Sequence, residues 1–351
     1  MTHSRRSVLR RGAGIAAVGT VASLAGCSGG TSDSPGEFDA GYAAFFTLSD
    51  WANAVAGEAA SFEDPVDVGQ LGHGWSPNGN LAADVAATDA FVYLDSPEFS
   101  WAQDLAGTLA ADYDSVAVID VLADVEDDLL DWNHSHGGDD HDDGDDHDGD
   151  DHEDDDHGGE DDHSHEGDHD DGRRYDPHVW VDPVLAAEMV DTTATGLGEA
   201  DPDNAERYAA NTDEYAAELD AVDAAFESIA ADATRDVAVM AGHNSFQYLE
   251  ARYGFRLHSP VGVSPQNEPT QSEIADTIDL VDAEGMDVVL YDRFQSPRLA
   301  ESIVENSDAT EAIPVTPAGG TTREWNDRGY GYLEQMTEIN VPAFERAFGV
   351  Q

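Results

Sequence analysis

The chain contains no lysine, because all fifteen of its basic residues are arginines. A P-loop ATPase needs a lysine beside the nucleotide phosphates, so the sequence excludes that class of enzyme. Catalysis through a lysine Schiff base is excluded for the same reason. The formal net charge of −60 also argues against a nucleic-acid partner, whose phosphates need a basic surface. We therefore expect no nucleic-acid partner and no nucleotide hydrolysis by this chain.

Acidic residues outnumber basic ones over the whole chain and not only in one segment. Twenty of the 75 acidic residues lie in Asp139–Asp171, yet the others still outnumber the arginines more than threefold. With 40% hydrophobic residues the chain can still bury a core. A folded, lysine-free and strongly acidic protein is haloarchaeal-like, because high salt screens its self-repulsion. An unusually acidic protein from ordinary salt is the alternative.

Cysteine and long hydrophobic runs are also scarce. Residues 1–26 are typical of an export signal, with a twin-arginine-like Arg5-Arg6 and an apolar run shorter than the roughly twenty residues that span a bilayer. Cys27 is the only cysteine, so an intrachain disulfide is excluded. It follows Leu-Ala-Gly, which resembles a lipoprotein cleavage site. We expect Cys27 to anchor the exported chain to the outer face of the cytoplasmic membrane through a flexible tether, residues 27–37.

From Phe38 onward, strand and helix patterns alternate, which is typical of parallel sheets covered by helices. We predict an N-terminal α/β lobe over 38–200, a linking helix over 201–233 and a C-terminal α/β lobe over 234–351. The linking helix has no glycine and an apolar stripe, as expected for a rigid strut. The predicted strands are 43–48, 66–68, 90–94, 115–119, 236–240, 288–291 and 313–316, and the predicted helices are 50–61, 81–87, 97–109, 183–197, 201–232, 245–253, 271–283, 297–306 and 330–348.

Nine of the fourteen histidines lie in one tract, 134–171, among aspartate and glycine. The tract cannot fill a core, so we expect a disordered loop that collects metal, or else a solvated acidic loop whose histidines bind metal only incidentally. His165 and His169 formally match a zinc-protease motif, but glycine and aspartate disfavour the helix that this motif requires. The histidines of the tract are His134, His136, His141, His147, His152, His157, His163, His165 and His169.

Three further histidines follow predicted strands or Pro/Gly turns: His73, His178 and His243. In open α/β sheets, ligands bind beyond the carboxyl ends of the strands. Neutral imidazole suits Zn²⁺ in a four-coordinate site, which three histidines and a carboxylate or water would complete. Asp176 and Asp182 flank His178 and are candidates to fix its tautomer.

Several segments together resemble the substrate-binding lipoproteins of zinc and manganese ABC importers. These are Asp176–Pro183 (Asp-Pro-His-Val-Trp-Val-Asp-Pro), Asp201–Ala205, Gly242–Leu249 (Gly-His-Asn-Ser-Phe-Gln-Tyr-Leu) and Ser264–Thr270. The resemblance covers about residues 38–348. It implies two α/β lobes with parallel sheets bridged by one long rigid helix, and a metal site in the cleft between the lobes. It also implies a membrane permease and a separate ATPase as partners, and we expect a monomer without enzymatic activity.

The resemblance also bears on the ligands. His178 and His243 fall on ligands of the family, and His73 is a looser match. Manganese-selecting members tend to have a carboxylate in place of His243, so zinc is favoured. The family's further carboxylate aligns near Thr316-Pro317, where this chain has no acid. The fourth position therefore stays open between Asp292, water and a histidine of the tract, which itself resembles the metal-rich loop of zinc-specific members.

The expected function is that of an extracytoplasmic solute-binding lipoprotein that captures Zn²⁺ and delivers it to an ABC-type importer. The affinity should fall as the pH drops through roughly 6.5, because ligation needs neutral imidazole. The alternatives are the same role for Mn²⁺, a surface zinc buffer and a zinc-dependent hydrolase. Three histidines with an open position are also a catalytic pattern, but Asp292 is the only candidate for a general base.

Overall fold

The computed structural model describes residues 38–72, 74–131, 175–262 and 268–350. The predicted export signal, the tether with Cys27, His73 and the whole His/Asp tract lie outside the described residues. The described residues from Phe38 onward belong to one compact unit. Within the described residues, no helix combines the length and the apolar character that crossing a bilayer requires.

The first sheet contains the strands β1 (Ala40–Ala43), β2 (Ser61–Glu63), β3 (Ala90–Tyr93) and β4 (Ala117–Asp120). Their spatial order is β2-β1-β3-β4, and all neighbours are parallel. The winding direction therefore changes between β1 and β3, and the crevice at such a switch point is where open α/β sheets bind ligands.

The second sheet repeats this arrangement with β5 (Val237–Met240), β6 (Arg256–His258), β7 (Val288–Asp292) and β8 (Glu311–Val315). The order is β6-β5-β7-β8, again with parallel neighbours, so the second switch point lies between β5 and β7. Two parallel α/β sheets confirm the predicted fold class.

The helices cover these sheets, and the longest one connects them. Helix α5 (Ala205–Asp232) buries its predicted apolar stripe and donates from Asn211 to the carbonyl of Val55 in the first lobe, at 2.8 Å. On the other side, the Tyr253 hydroxyl of the second lobe donates to Asp223 of α5, at 2.7 Å. The other helices are α1 (Phe46–Ala56), α2 (Leu81–Val85), α3 (Ser100–Asp112), α4 (Pro183–Ala200), α6 (Gln247–Tyr253), α7 (Gln271–Glu284), α8 (Arg298–Glu305), α9 (Arg323–Arg328), α10 (Tyr332–Glu334) and α11 (Val341–Ala347).

The start of the fold differs from the prediction. The predicted strand 43–48 is wrong, because β1 ends at Ala43 and α1 already begins at Phe46. A short apolar run fits a buried strand or a buried helix equally well. Here Leu48, Trp51 and Val55 are buried at helical spacing. The predicted strand 66–68 is also wrong, since Val68 is 53% exposed and the second strand is β2.

The end of the fold also departs from one continuous helix. Between α10 and α11 the chain forms a wider π-helical segment, Gln335–Asn340, which turns Gln335 and Asn340 inward. Both amides bind Thr316 in the loop after β8. Strand β6 and helix α9 were not predicted, because neither has a periodic apolar pattern of useful length.

Candidate metal centre

His178 lies in a single helical turn, His178–Val181, that begins directly after Pro177. Asp176 accepts a hydrogen bond from the backbone N–H of His178 at 3.0 Å, and the same oxygen lies 2.7 Å from the ring atom Nδ1. A carboxylate only accepts, so Nδ1 carries the proton and Nε2 presents a lone pair. Asp176 thus makes the contact with His178 that its predicted role requires.

Asp182 does not share that role. Its carboxylate accepts from the backbone N–H groups of Val184 and Leu185 at the start of α4. It also pairs with Arg252 of α6. The prediction that Asp182 orients His178 is wrong, because a helix beginning at Pro183 needs an acceptor for its first N–H groups.

His243 follows β5 at the second switch point. Gly242 precedes it with a φ of +144°, a conformation that side-chain-bearing residues rarely adopt, so the chain turns sharply there. The turn is held by Asn244, whose side chain accepts from Phe246 N–H and donates to Glu250. His243 is therefore fixed on a loop with little freedom and is only 1% exposed.

The two histidines meet although they belong to different lobes. The ring centroids of His178 and His243 are 5.7 Å apart, with an angle of 41° between the ring planes. His178 also contacts Trp180, whose indole N–H donates to the carbonyl of Pro317 at 2.6 Å. The Tyr332 hydroxyl donates to the carbonyl of Trp180 at 2.7 Å, so the His178 turn is fastened to the second lobe.

Asp292 ends β7, beside His243 at the same switch point. It is 1% exposed, and burial raises the pKa of its carboxyl to about 6, against the lowering effects of a Phe294 N–H bond, the nearby His178 and the Gln295 side chain. Its Oδ2 atom is buried and has no hydrogen-bond partner among the described residues. Burying a carboxylate oxygen without a hydrogen-bond partner costs free energy unless a cation or a proton satisfies that oxygen.

The neighbours of His73 pack against the same centre. A Cβ added to Gly72 would lie 2.7 Å from Phe45, and the Phe45 ring packs against Trp180 in a tilted arrangement at a centroid distance of 4.9 Å. From the second lobe, Gly320 approaches Gln70 so closely that a Cβ there would lie 2.4 Å from its carbonyl oxygen. These contacts hold the chain on the N-terminal side of His73 between the two lobes.

Thr316 lies near the position where the family resemblance implies a further carboxylate ligand. Its hydroxyl donates to the Gln335 amide oxygen at 2.9 Å, and its backbone exchanges two hydrogen bonds with the Asn340 amide. Ala318, two residues further along the loop, has a φ of +55° and donates its N–H to the Thr316 hydroxyl. The Gln335 and Asn340 amides therefore give the buried Thr316 hydrogen-bond partners on its hydroxyl and on both of its backbone groups.

Two residues at the centre were not predicted. The Ser245 hydroxyl lies 2.7 Å from Nε2 of His243, and the Gln295 side-chain amide lies 2.6 Å from its Nδ1. Sequence signals for both were weak: a serine two residues after the histidine, and a glutamine three residues after Asp292.

Among the described residues, no three or more His, Cys, Asp or Glu side chains are arranged to hold a metal ion. His73 and the tract histidines are not part of that set.

Comparison with known proteins places this geometry in a family. Residues 42–347 match the family described as ZnuA, zinc-uptake complex component A, periplasmic. The chain is 26% identical over 308 residues to the zinc-binding lipoprotein AdcA of Streptococcus pneumoniae, covering 86% of this chain and 54% of that protein. It is 29% identical over 163 residues to the high-affinity zinc uptake system protein ZnuA of Bacillus subtilis, covering 46% of this chain and 50% of that protein. The chain thus spans about half the length of the curated relatives it matches.

Solved structures show the same fold. The metal-dependent lipoprotein YcdH of Bacillus subtilis superposes with a TM-score of 0.69 at 20% identity, covering 89% of this chain and all of that one. The Zn(II)-bound ZnuA-like domain of Streptococcus pneumoniae AdcA superposes with a TM-score of 0.67 at 22% identity, covering 89% and 99%. The matched family is described as a component of an uptake complex and not as an enzyme. Since its match runs through nearly all of the described residues, the chain belongs to the family of ZnuA zinc-uptake component A proteins.

Proposed function

We propose that this protein is a lipid-anchored receptor that binds Zn²⁺ as cargo between its lobes and passes it to an ABC-type importer. The observation that carries the proposal is the contact between His178 and His243, at a ring-centroid distance of 5.7 Å. Two imidazoles from opposite lobes, both almost fully buried, are a donor set that suits zinc. Packing against apolar neighbours does not by itself explain why two polar imidazole rings are buried side by side.

Asp292 is our proposed fourth ligand, and His73 the third histidine. Oδ2 of Asp292 is buried without a hydrogen-bond partner among the described residues and would be satisfied by a divalent cation, for which His178, His243 and Asp292 would have to come closer together than they are in the described structure. Gly72 and Gly320 hold the chain next to His73 against Phe45 and Gln70. A site of three histidines and one carboxylate would leave no open position for a substrate, which favours binding and release over catalysis.

The His/Asp tract is proposed to collect zinc close to this centre. The described residues that flank it, Asp131 and Tyr175, form a β-bridge, and Tyr175 directly precedes Asp176, the partner of His178. The Tyr248 hydroxyl contacts the chain on both sides of the tract, because it accepts from Leu130 N–H and donates to the carbonyl of Asp176. We call these two flanking segments the stem. The tract therefore leaves and re-enters the described fold beside one of the proposed ligands.

The remaining parts of the proposal concern location and organisation. We infer that residues 1–26 direct twin-arginine export, that Cys27 carries the lipid, and that residues 27–37 form the tether. The lobes are proposed to be 38–200 and 234–351, joined by 201–233. A permease and a separate ATPase would complete the importer, with this chain acting as a monomer in a high-salt setting that suits its charge of −60.

The proposal is tested by metal selectivity and stoichiometry. The full chain in high salt is titrated with Zn²⁺ and with Mn²⁺ against a competing chelator. We expect one tight zinc site, several weaker zinc sites from the tract, and manganese bound far more weakly. Equal affinity for manganese would contradict zinc selection. A uniform set of weak sites would instead identify a surface zinc buffer.

A further inference from the structure

Asp50 is a side chain at which three parts of the fold meet. It lies on α1 of the first lobe, and its Oδ2 atom accepts a hydrogen bond from the backbone N–H of Tyr332 at 2.9 Å. Tyr332 begins α10 in the second lobe. The Tyr215 hydroxyl of the linking helix α5 lies 3.5 Å from the same oxygen. One carboxylate thus connects both lobes and the helix between them.

The close approach of Asp50 to the second lobe depends on a glycine. Gly331 directly precedes Tyr332, and a Cβ added to it would lie 2.6 Å from Oδ1 and 2.9 Å from Oδ2 of Asp50. The backbone of Gly331 is extended, with a φ of −85°, so its conformation is open to other residues. The missing side chain at this position therefore serves to leave space for the carboxylate.

Asp50 also does for this helix what a residue of the same lobe usually does. The first N–H groups of a helix have no partner within it, and the side chain just before the helix commonly accepts from one of them. Tyr332 begins a helical stretch that continues through the π-helical segment to Ala347. Gly331 has no side chain to offer, so the acceptor comes from the opposite lobe. This contact can form only when the two lobes are packed together.

Tyr332 connects the contact to the metal centre. Its hydroxyl donates to the carbonyl of Trp180 at 2.7 Å, and its ring packs edge-on against Trp51 of α1 at a centroid distance of 5.3 Å. Trp180 belongs to the single turn that contains His178, and its indole N–H donates to the carbonyl of Pro317 in the second lobe. Helix α1 thus holds Tyr332 at its backbone and at its ring, and Tyr332 holds the turn that contains His178.

We propose that Asp50 is a positioning residue that latches the lobes together through Tyr332 and thereby slows the loss of bound zinc. The two proposed histidine ligands belong to different lobes, so zinc leaves when the contact between the lobes loosens at the centre. A weaker latch allows this more often. Capture depends mainly on the encounter of zinc with the site and changes less. This inference rests on the proposed function, because it takes His178 and His243 as ligands.

The test uses variants of the full chain that break the latch in different ways. Asp50→Ala removes the acceptor, Asp50→Asn keeps one in its amide oxygen, and Gly331→Ala displaces the carboxylate with a methyl group. Tyr332→Phe removes only the hydroxyl, and it is also combined with Asp50→Ala. The matched control is Asp89→Ala, because Asp89 also accepts from two backbone N–H groups, but within the first lobe.

Two measurements are made on each variant. The first is the rate at which the tightest site loses zinc to an excess of chelator, followed by stopped flow. The second is the hydrogen-exchange rate of the Trp180 indole N–H in saturating zinc, observed by NMR and assigned with Trp180→Phe. This N–H donates to Pro317 across the lobes, so it reports a contact that none of the latch variants removes directly.

We expect Asp50→Ala and Gly331→Ala to lose zinc about threefold to thirtyfold faster than wild type, the range in which contacts remote from a ligand change its binding. The Trp180 indole N–H should exchange faster in both. Asp50→Asn and Asp89→Ala should stay within about twofold of wild type, and adding Asp50→Ala to Tyr332→Phe should change its rate by no more than about twofold. This rescue and this lack of additivity separate a positioning role from a merely structural one.

The inference is overturned if Asp50→Ala and Gly331→Ala both keep the wild-type rate of zinc loss or of indole exchange. It is also overturned if Asp50→Asn shares the defect of the alanine variant, or if the two effects add in full in the double variant. If Asp50→Ala does not fold, Gly331→Ala and Tyr332→Phe decide the question. Failure of the proposed function looks different: wild type would then show no tight zinc site, while the indole exchange would still respond to Asp50→Ala.

Discussion

Nδ1 of His178 lies 2.7 Å from the carboxylate of Asp176, and both side chains are almost completely buried. The pair is formed within one short turn, because Pro177 is the only residue between them. The contact occupies Nδ1 and leaves Nε2 as the other donor atom of the ring, whose centroid lies 5.7 Å from that of His243 in the opposite lobe. A local feature of the sequence thus prepares a ligand for a site that only the assembled lobes can complete.

Replacing Asp176 by asparagine should weaken zinc binding by about 10-fold to 100-fold, since outer hydrogen-bond partners of metal-bound histidines typically contribute this much. Asparagine keeps an acceptor for the backbone N–H of His178 but offers a weaker one to the ring. Chelator competition measures the change.

Asp201→Asn is the matched control for that substitution. Asp201 is also buried and accepts hydrogen bonds, from Asn204 and Tyr208, but it lies at the junction of α4 and α5. If both variants lose zinc affinity equally, the Asp176 contact has no special role in binding.

Asp292→Asn should stabilise the zinc-free protein while weakening zinc binding. Burial raises the pKa of this carboxyl to about 6, so the folded state holds the proton more tightly than the unfolded chain. Zinc-free stability therefore falls as the pH rises from about 4 to about 6, with a cost of about 3 kcal/mol above that range. Asparagine removes this cost and keeps the acceptor for Phe294 N–H.

Denaturant unfolding with a strong chelator present measures this effect. The variant should exceed wild type in free energy of unfolding at pH 7.5, and the difference should vanish near pH 4. A variant that is less stable than wild type at both pH values would show that Asp292 is a structural acid and not a site held ready for a cation.

Gly320→Ala should disturb the metal centre from the second lobe. The new methyl group would lie 2.4 Å from the carbonyl oxygen of Gln70, which is backbone and must move. Overpacking of this kind typically costs roughly 1–3 kcal/mol of stability. We expect a weaker zinc site as well, because the displaced segment leads directly to His73.

Gly79→Ala is the control for that substitution, since Gly79 belongs to the same loop as Gln70 and an added Cβ there meets no atom within 4 Å. Thermal unfolding and zinc competition are measured on both. Unchanged zinc affinity in Gly320→Ala, together with reduced stability, would exclude His73 from the site.

Much of this architecture follows from sequence patterns. Each strand of the second sheet that has a continuous apolar run, such as β5 and β7, was predicted within two residues, because a buried parallel strand must be apolar on both faces. The starts of α4 and α7 were predicted at Pro183 and Gln271, and the structure shows local caps at both: Asp182 before Pro183, and Thr270 with Glu273.

Other features depend on contacts that no local pattern encodes. Strand β6 has only three residues and is defined by pairing with β5. The π-helical segment exists because Gln335 and Asn340 must both reach Thr316. Gln295 gains its significance from a histidine more than fifty positions earlier in the chain. Sequence reasoning found His178 and His243 as candidates, but their contact arises only when the two lobes pack together.

Deleting residues 134–171 should leave the tight site intact and lower only the zinc capacity. The described residues on either side of this segment are already held together by the Asp131–Tyr175 bridge and by the hydrogen bonds of Tyr248. We therefore expect this part of the fold to persist without the tract. Isothermal titration should show several zinc ions per full chain and one per shortened chain. A shortened chain that binds no zinc tightly would assign the function to the tract alone.

The central claim is that zinc is held by His178 and His243 together, and its most direct test is chelator competition on wild type, His178→Ala and His243→Ala. Each substitution removes a proposed ligand, so each should weaken the tightest zinc site by at least about 100-fold, more than the loss of an outer partner does. Far-ultraviolet circular dichroism verifies that both variants are folded. If either folded variant binds zinc as tightly as wild type, the two histidines do not form one metal site.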